Sequence, residues 1–325
     1  MPTCDNNIEW LDEQRFILTV EHPSNHTYDS TNINIILKTP ETHKNTYISL
    51  FNNSINSNIR VVFSSYSLTE KGTGFPDGLS DCSNITSCYS DEAKIKGRLH
   101  SVGGLVGYLS PIGNVNNCYV SKANIKVDDA SQNRQCYGGL VGQSAGTISK
   151  SYVVQSSIYS CQQIGGLVGY TTAGSISKCF VKDTTVKGYD FCVGGITAAL
   201  FSQAQIDSCY IKDSSISFTV QAYSNNYTLG GLVGSNTATI TNCYMYNSTV
   251  SGKTNYGALI GSSEGSGTIS NCFISNNYSR LIDNNANTTP LTYCFYNVNY
   301  LSAFNGKSWS AGAWSNFNTT SFPPQ

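Results

Sequence analysis

The chain has few charged residues: Asp, Glu, Lys and Arg together make up 12% of its 325 residues, about half of the roughly 25% that is usual in soluble domains. Its 19 basic and 20 acidic side chains leave a formal net charge of −1. This balance lacks the basic surface typical of nucleic-acid-binding proteins. Its longest apolar runs, such as 103–109, are far shorter than the roughly 20 residues that span a bilayer. We therefore expect neither a nucleic-acid partner nor membrane insertion.

Histidine is also scarce. The chain has only His22, His26, His43 and His100, and none begins the His-Glu-x-x-His pattern of a zinc peptidase. Paired carboxylates of a polysaccharide-cleaving enzyme were considered too, but the aspartates are scattered along the chain. We expect no metal, no cofactor and no enzymatic activity.

Glycine is missing from residues 1–71 and frequent from Gly72 onward. The first part consists of short β-branched runs between Asn, Ser and Pro turns, which is typical of strands. We divide the chain into a β-rich N-terminal cap at 1–81, a repeat region at 82–300 and a closing segment at 301–325.

A short glycine motif recurs through the repeat region. Gly-Gly-Leu-Val-Gly stands at 103–107, 138–142, 165–169 and 230–234, with degenerate copies at 194–198 and 257–261. A phosphate-binding loop of this kind would need a following helix and a Lys-Ser/Thr pair, which are not present in the motif. The glycines instead favour tight turns and close packing of neighbouring chain segments.

A second motif alternates with the glycine motif. It consists of an aliphatic residue, two polar residues, a cysteine and an aromatic residue. The cysteines in this phase are Cys88, Cys118, Cys179, Cys209, Cys243, Cys272 and Cys294, and Ser151 occupies the remaining copy. The aromatics that follow are Tyr89, Tyr119, Tyr152, Phe180, Tyr210, Tyr244, Phe273 and Phe295. Eight copies in one phase indicate an internal repeat with a period of roughly 30 residues.

This repeat predicts an all-β fold, because the short β-branched runs broken by Gly, Asn and Ser have no helical periodicity. We expect a parallel β-helix, a right-handed β-solenoid of about eight coils with roughly three strands per coil: one at Gly-Leu-Val-Gly, one at Ile-x-x-Cys-aromatic and one around a later Ile or Val. Equivalent residues of successive coils would then stack about 4.8 Å apart. A single coil buries too few aliphatic groups to offset its backbone entropy, so the coils must fold by stacking.

Alternation along the strand predicts side-chain direction. The residue two positions after the cysteine is apolar, as at Val120 and Ile211, so the cysteine shares the inward face. The residue before the cysteine is polar and the aromatic has the same parity, so both face outward. The earlier aliphatic points inward only if the chain turns a corner at the two polar residues between.

The repeated cysteines are therefore interpreted as thiols packed in the core. Disulfide bridges and a metal site were the alternatives, although no Cys-x-x-Cys pair offers zinc-like spacing. Ser151 occupies the cysteine position in one copy of the repeat. This favours core packing over disulfide bonding, because a cysteine required for a disulfide would not be replaced by serine. Cys136, Cys161 and Cys192 lie outside this phase, each shortly before a Gly-Gly, and are candidates for disulfides between consecutive coils.

The outward aromatics form the main candidate site. A column of rings repeating at about 4.8 Å would present an apolar strip to a glycan or a protein partner, since large exposed apolar patches usually mark interaction sites. The alternative is that the rings stack on one another and only stabilise the sheet.

The alternation of Gly-Gly-Leu-Val-Gly with Ile-Ser-Asn-Cys-Phe (269–273) or Ile-Thr-Asn-Cys-Tyr (240–244) resembles the GLUG-motif repeat over about residues 82–297. That family occurs in bacterial and protist surface proteins, including adhesins and the non-catalytic part of some immunoglobulin-A-cleaving metallopeptidases. The resemblance implies a non-enzymatic adhesion or recognition protein at a cell surface or outside the cell. An architectural subunit that packs against copies of itself, in a fibre, coat or intracellular assembly, is the alternative.

Overall fold

A computed structural model describes the backbone of the chain in separate stretches. They are 7–12, 15–19, 33–37, 55–56, 59–63, 66–67, 84–86, 89–91, 94–96, 101–126, 136–160, 162–189, 191–219, 228–252, 256–264, 267–275, 282–285, 291–292 and 294–296. Within these stretches the secondary structure consists of strands, without a helix. The closing segment at 301–325 lies outside the described residues.

Four parallel sheets run side by side along the repeat region. The first, here called the glycine sheet, consists of Ser101–Gly103, Cys136–Gly138, Gln163–Gly165, Cys192–Gly194, Thr228–Gly230 and Tyr256–Gly257. Each of its strands ends on the first glycine of the repeated motif. Gly-Gly-Leu-Val-Gly is therefore a bend between two strands rather than the single strand that we expected.

The cause of the bend is steric. A Cβ on the first glycine would overlap the carbonyl oxygen of the residue three positions later, as Gly138 would with Val141. A Cβ on the second would overlap the next coil, as Gly139 would with the carbonyl oxygen of Gly166. Only glycine permits so close an approach of backbone to backbone. Hydrogen bonding between coils continues through the bend, where the N–H of Leu140 donates to the carbonyl of Leu167 at 2.9 Å.

The bend leads into the second sheet, the long sheet of 14 strands. Its strands are Ile55–Asn56, Asn84–Thr86, Val106–Leu109, Asn114–Asn116, Val141–Ser144, Thr147–Ser149, Val168–Ser177, Thr197–Asp207, Val233–Asn236, Thr239–Thr241, Ile260–Ser263, Ile269–Ser270, Ile282–Asn285 and Leu291–Thr292. The aliphatic residue of the repeat lies on these strands and is buried, as in the in-register pair Ile148 and Ile176.

The third sheet carries the repeated aromatics and is called the aromatic sheet. Its ten strands are Ile33–Leu37, Ile59–Phe63, Tyr89–Asp91, Tyr119–Ser121, Tyr152–Val154, Phe180–Lys182, Tyr210–Lys212, Tyr244–Tyr246, Phe273–Ile274 and Phe295–Tyr296. The fourth sheet consists of Tyr66–Ser67, Lys94–Lys96, Asn124–Lys126, Ser157–Ser160, Thr185–Gly188, Ser215–Phe218 and Thr249–Ser251.

An antiparallel pair, Asn7–Asp12 with Arg15–Thr19, precedes the sheets. Between it and residue 82, strand Ile59–Phe63 pairs in parallel with Tyr89–Asp91 of the first repeat copy. Parallel pairing therefore continues into the region assigned to the cap from the sequence. The boundaries at 81 and 300 stay predictions.

The fold class, an all-β parallel solenoid, is confirmed. Five consecutive turns place a strand in each of the four sheets: 101–126, 136–160, 163–188, 192–218 and 228–251. This is fewer than the eight coils expected, because the copies on either side contribute described strands to only some of the sheets. It is also one sheet more than expected, because the glycine bend divides what looked like one strand into two.

The core lies inside the coil and consists of columns of in-register side chains. Val120, Val153 and Val181 form one column on the aromatic sheet and are completely buried. Ile125 and Ile158 form another on the fourth sheet. The inward direction predicted from parity is thus confirmed for these positions.

Candidate functional site

The repeated aromatics form one continuous stack, here called the aromatic ladder. Successive centroids from Tyr89 through Tyr119, Tyr152, Phe180 and Tyr210 to Tyr244 lie 4.6–5.0 Å apart, with ring planes within 7° of parallel. The strands place one ring on each coil at the same register. The strands of Phe273 and Phe295 continue the register, and the side chain of Phe295 lies outside the described residues.

Stacking decides which part of each ring reaches the surface. The ladder rings are half-buried, and each interior ring is covered on both faces by its neighbours on the adjacent coils. Ring edges and tyrosine hydroxyl groups therefore form the exposed strip. A sugar that stacks on an aromatic needs a free ring face, which the interior of the ladder does not offer.

A second outward column runs beside the ladder, two residues further along each strand. It consists of Asp91, Ser121, Val154, Lys182, Lys212 and Tyr246. Lys212 Nζ lies 5.9 Å from the centroid of the Tyr246 ring, which is within the range of a cation–π contact. The outer surface of the aromatic sheet is thus a flat strip of ring edges beside a mixed polar column.

Burial within the stack raises the pKa of Tyr152 and of Tyr210. The pKa of Tyr244 rises to about 12, because burial and the charge of a neighbouring Tyr210 phenolate both oppose ionisation. The hydroxyl groups of Tyr152, Tyr210 and Tyr244 are therefore neutral donors and acceptors over the whole physiological range.

The corner predicted before each cysteine is present and requires an unusual backbone. The residue preceding the cysteine position has a left-handed φ of 49–56° in six copies: Asn117, Lys150, Lys178, Ser208, Asn242 and Asn271. Asn adopts this region more readily than most residues. At the lysine positions 150 and 178 the fold imposes it, because the chain must turn there to keep the strands of adjacent coils in register.

The cysteine thiol that follows this corner forms hydrogen bonds with backbone groups of the corner. Cys179, Cys209, Cys243, Cys272 and Cys294 are free, buried thiols. Each donates to the carbonyl two residues earlier, at 3.0–3.6 Å. The backbone N–H of Cys179 in turn donates to the sulfur of Cys209 on the next coil. These five side chains therefore lie in the core as thiols, with a polar role in the corner that parity did not reveal.

Ser151 shows why one copy tolerates serine. Its hydroxyl accepts from the N–H of Cys118 at 3.0 Å and donates to the carbonyl of Ser149 at 2.7 Å. These are the two bonds that a thiol makes at the same position. Cys118 is completely buried, and Cys88 lies outside the described residues.

A second corner of the same design follows five residues later and was missed from the sequence. Its left-handed residues are Lys122, Gln155, Asp183, Asp213 and Asn247. A small residue follows each, and the hydroxyls of Ser156, Thr184, Ser214 and Ser248 each accept an N–H from the preceding coil at 3.0–3.3 Å. The recurring Ser/Thr was the available signal, but these residue types are too common in this chain to stand out.

Two of the disulfide candidates, Cys136 and Cys192, lie on coils that are not consecutive. Cys136 lies in register with Gln163, and its thiol donates to Gln163 Oε1 at 3.2 Å. Val193 pairs with Ile164, which places Cys192 one coil beyond Gln163. Cys136 and Cys192 are therefore two strand spacings apart, about 9.6 Å, too far for a disulfide. Cys161 lies outside the described residues, and its pairing stays a prediction.

The scattered aspartates are held by local contacts. Burial by itself would raise the pKa of Asp207, but hydrogen bonds from Thr241, Asn242 and Ser208 outweigh it and lower the pKa. The Thr241 and Asn242 donors reach Asp207 Oδ1 at 2.6 and 2.7 Å. Asp213 accepts from Asn247 at 2.6 Å. These two carboxylates stabilise the corners where adjacent coils meet.

A smaller cluster on the fourth sheet was also missed from the sequence. Lys126 and Lys187 lie on either side of Tyr159, with Nζ atoms 5.7 and 5.9 Å from its ring centroid. Tyr189 packs edge-on against the same ring at 4.8 Å. Register alone places the three residues of positions 126, 159 and 187 in one column.

The described stretches contain no group of three or more His, Cys, Asp or Glu side chains arranged to hold a metal ion. They also contain no helix of the length and apolarity needed to cross a membrane.

The stacked turns define the chain as a β-solenoid repeat protein. Residues 160–187, which form one turn, match the GLUG motif. This match confirms the resemblance to the GLUG-motif repeat that the sequence shows. Neither the curated proteins nor the solved structures contain a match to the chain.

Proposed function

We propose that the protein is a non-enzymatic recognition scaffold at a cell surface, and that the aromatic ladder is the strip that contacts a protein partner. The observation that carries this proposal is the unbroken stack of six rings from Tyr89 to Tyr244. At one ring per coil it is about 24 Å long.

The exposed chemistry of the ladder favours a protein over a glycan. Interior ring faces are covered, so the strip offers apolar edges together with hydroxyl groups. Tyrosine edges and hydroxyls are the groups that protein interfaces use most, because they combine apolar area with a hydrogen bond and lose little side-chain entropy. A flat strip with a regular repeat fits an extended partner surface. The likeness of the repeats to those of surface adhesins supports the same proposal.

The test blocks the strip without disturbing the stack. Val154 lies beside the ladder and is only half-buried, so Val154→Arg places a charged side chain across the strip while all rings stay in place. Ser217→Arg on the fourth sheet is the matched control, because that position is also half-buried in a strand. Binding of the full chain to arrays of extracellular-matrix proteins and of glycans is the measurement.

We expect a matrix protein to bind wild type and Ser217→Arg equally and Val154→Arg at least tenfold more weakly. Equal binding by all three would place the interface elsewhere. Binding of glycans alone, or of nothing while circular dichroism shows a folded sample, would contradict the proposal. Self-association that Val154→Arg abolishes would instead support the architectural alternative, in which copies of the chain pack on the ladder.

A further inference from the structure

The buried thiols form a single-file column, here called the cysteine column: Cys179, Cys209, Cys243, Cys272 and Cys294. Their strands are stacked in register, and each thiol contacts the next along the column. Each side chain is at most 3% exposed. The column brings five sulfur atoms, which are metal-ligating atoms, into one row, and the proposed recognition function does not use them.

We propose that the cysteine column binds soft, thiophilic monovalent cations of the Cu(I) class, each bridging two sulfurs of adjacent coils. Thiolate sulfur is the ligand that selects such cations. Metal–thiolate bonds are about 2.3 Å long, the value known for zinc, so a linear S–metal–S unit spans about 4.6 Å. Adjacent strands are about 4.8 Å apart, which matches that span.

Charge balance sets the capacity of the column. Five thiols enclose four gaps, but a thiolate that is already bonded to carbon cannot bind metals on opposite sides along a straight row, so ions occupy alternate gaps, two at most. An ion bound by one thiolate and one neutral thiol carries no net charge, which avoids the large cost of burying an unpaired charge. Two ions therefore displace two thiol protons to solvent, and no sulfur changes its oxidation state.

The same geometry discriminates against zinc. Structural zinc needs four ligands at the corners of a tetrahedron, whereas sulfurs in single file give two neighbours to any point between them. The corner bonds survive metal binding in part, because the N–H of Cys179 donates to the sulfur of Cys209 and a metal-bound thiolate still accepts it.

Ser151 suggests two kinds of variant that test the site: cysteine-to-serine substitutions in the column, and the reverse substitution at position 151. It makes the corner bonds of a cysteine, so the triple variant C209S/C243S/C272S keeps the fold while every gap loses at least one sulfur. Ser151→Cys does the opposite, since it joins Cys118 to the column and creates two further gaps.

The experiment titrates the reduced full chain with Ag(I), a redox-stable probe, and counts bound ions by native mass spectrometry. Titration of the folded chain and refolding in the presence of Ag(I) are both used, because the buried column opens only by local unfolding. We expect the triple variant to bind two ions fewer than wild type, and Ser151→Cys, whose column of seven cysteines has room for three ions in alternate gaps, to bind one more.

Equal stoichiometry in the three chains would overturn the proposal and assign the silver to cysteines elsewhere. Should the triple variant fail to fold, the gain at Ser151→Cys decides by itself, and no gain counts against the column. X-ray absorption of the Cu(I)-loaded wild type is the second measurement. Two sulfur neighbours at about 2.3 Å are expected, and three or four sulfurs, or nitrogen and oxygen ligands, would contradict linear coordination.

Discussion

Tyr119 and Tyr152 occupy the same register position on adjacent strands, with ring centroids 5.0 Å apart and planes only 3° from parallel. The backbone ladder sets this separation, and the aromatic rings fill it without further adjustment. The same ring-on-ring contact, repeated between adjacent strands along the sheet, therefore produces both a stabilising stack and an exposed strip.

The stack predicts a measurable contribution to stability. Tyr152 contacts Tyr119 on one side and Phe180 on the other, the latter at 4.6 Å. Because Tyr152→Ala removes two stacked pairs, we expect a loss of about 2–3 kcal/mol in the free energy of unfolding, measured by urea denaturation. Tyr152→Phe is the control and should change it by less than about 0.5 kcal/mol. Equal losses for both variants would mean that the hydroxyl, and not the stack, is stabilising.

The hydrogen bonds of the corner thiol predict that Cys209→Ser and Cys209→Val differ in stability. Cys209→Ser preserves both the acceptor for the N–H of Cys179 and the donor to the carbonyl of Asp207, and should cost less than about 1 kcal/mol. Cys209→Val has a similar volume but leaves the N–H of Cys179 without a partner, which should cost about 1–3 kcal/mol more, whereas the carbonyl of Asp207 keeps the N–H of Lys178. Chemical denaturation of the reduced protein measures both. A valine variant as stable as the serine variant would show that the thiol acts only through its volume.

Glycines of the repeated motif should differ in their tolerance of alanine. A Cβ at Gly139 would overlap the backbone of the next coil at Gly166, so Gly139→Ala should cost about 2–3 kcal/mol or prevent folding. At Gly107 the nearest atom to such a Cβ is the carbonyl oxygen of Ser101 at 3.1 Å, so Gly107→Ala should cost less than about 1 kcal/mol. Thermal unfolding distinguishes the two, and similar losses would contradict the steric explanation of the bend.

The ladder tyrosines predict a loss of stability at alkaline pH. In the folded chain the pKa of Tyr244 is about 12, above the value of about 10 in an unfolded chain. The stabilising contribution is therefore complete below about pH 10 and is lost as the pH rises towards 12. Phenolate absorbance should show titration above about pH 10. Tyr244→Phe should lose less stability than wild type between about pH 10 and about pH 12, and identical profiles would mean that other groups cause the loss.

Much of the fold was predictable because a motif that is uninformative in one copy becomes informative when it recurs at a regular spacing. A single Ile-x-x-Cys-Tyr is uninformative, but its recurrence in phase with the glycine motif identified the solenoid, the inward cysteines and the corner at residues such as Asn117. The division of each coil into four sheets was not predictable, since Gly-Gly-Leu-Val-Gly has the composition of a strand as well as of a bend. The second corner at Ser156 and Ser214 was also hidden by the abundance of serine.

The sequence by itself determined the parallel solenoid, the phase of its coils and the face to which each repeated residue belongs, because these depend only on period and alternation. Tertiary structure decided how those residues meet. The distance between coils stacks the aromatic rings in parallel, which exposes their edges, and sets thiols in single file with hydrogen bonds to the backbone. Contacts between coils depend on register and strand spacing, and a pattern along one chain does not contain those distances.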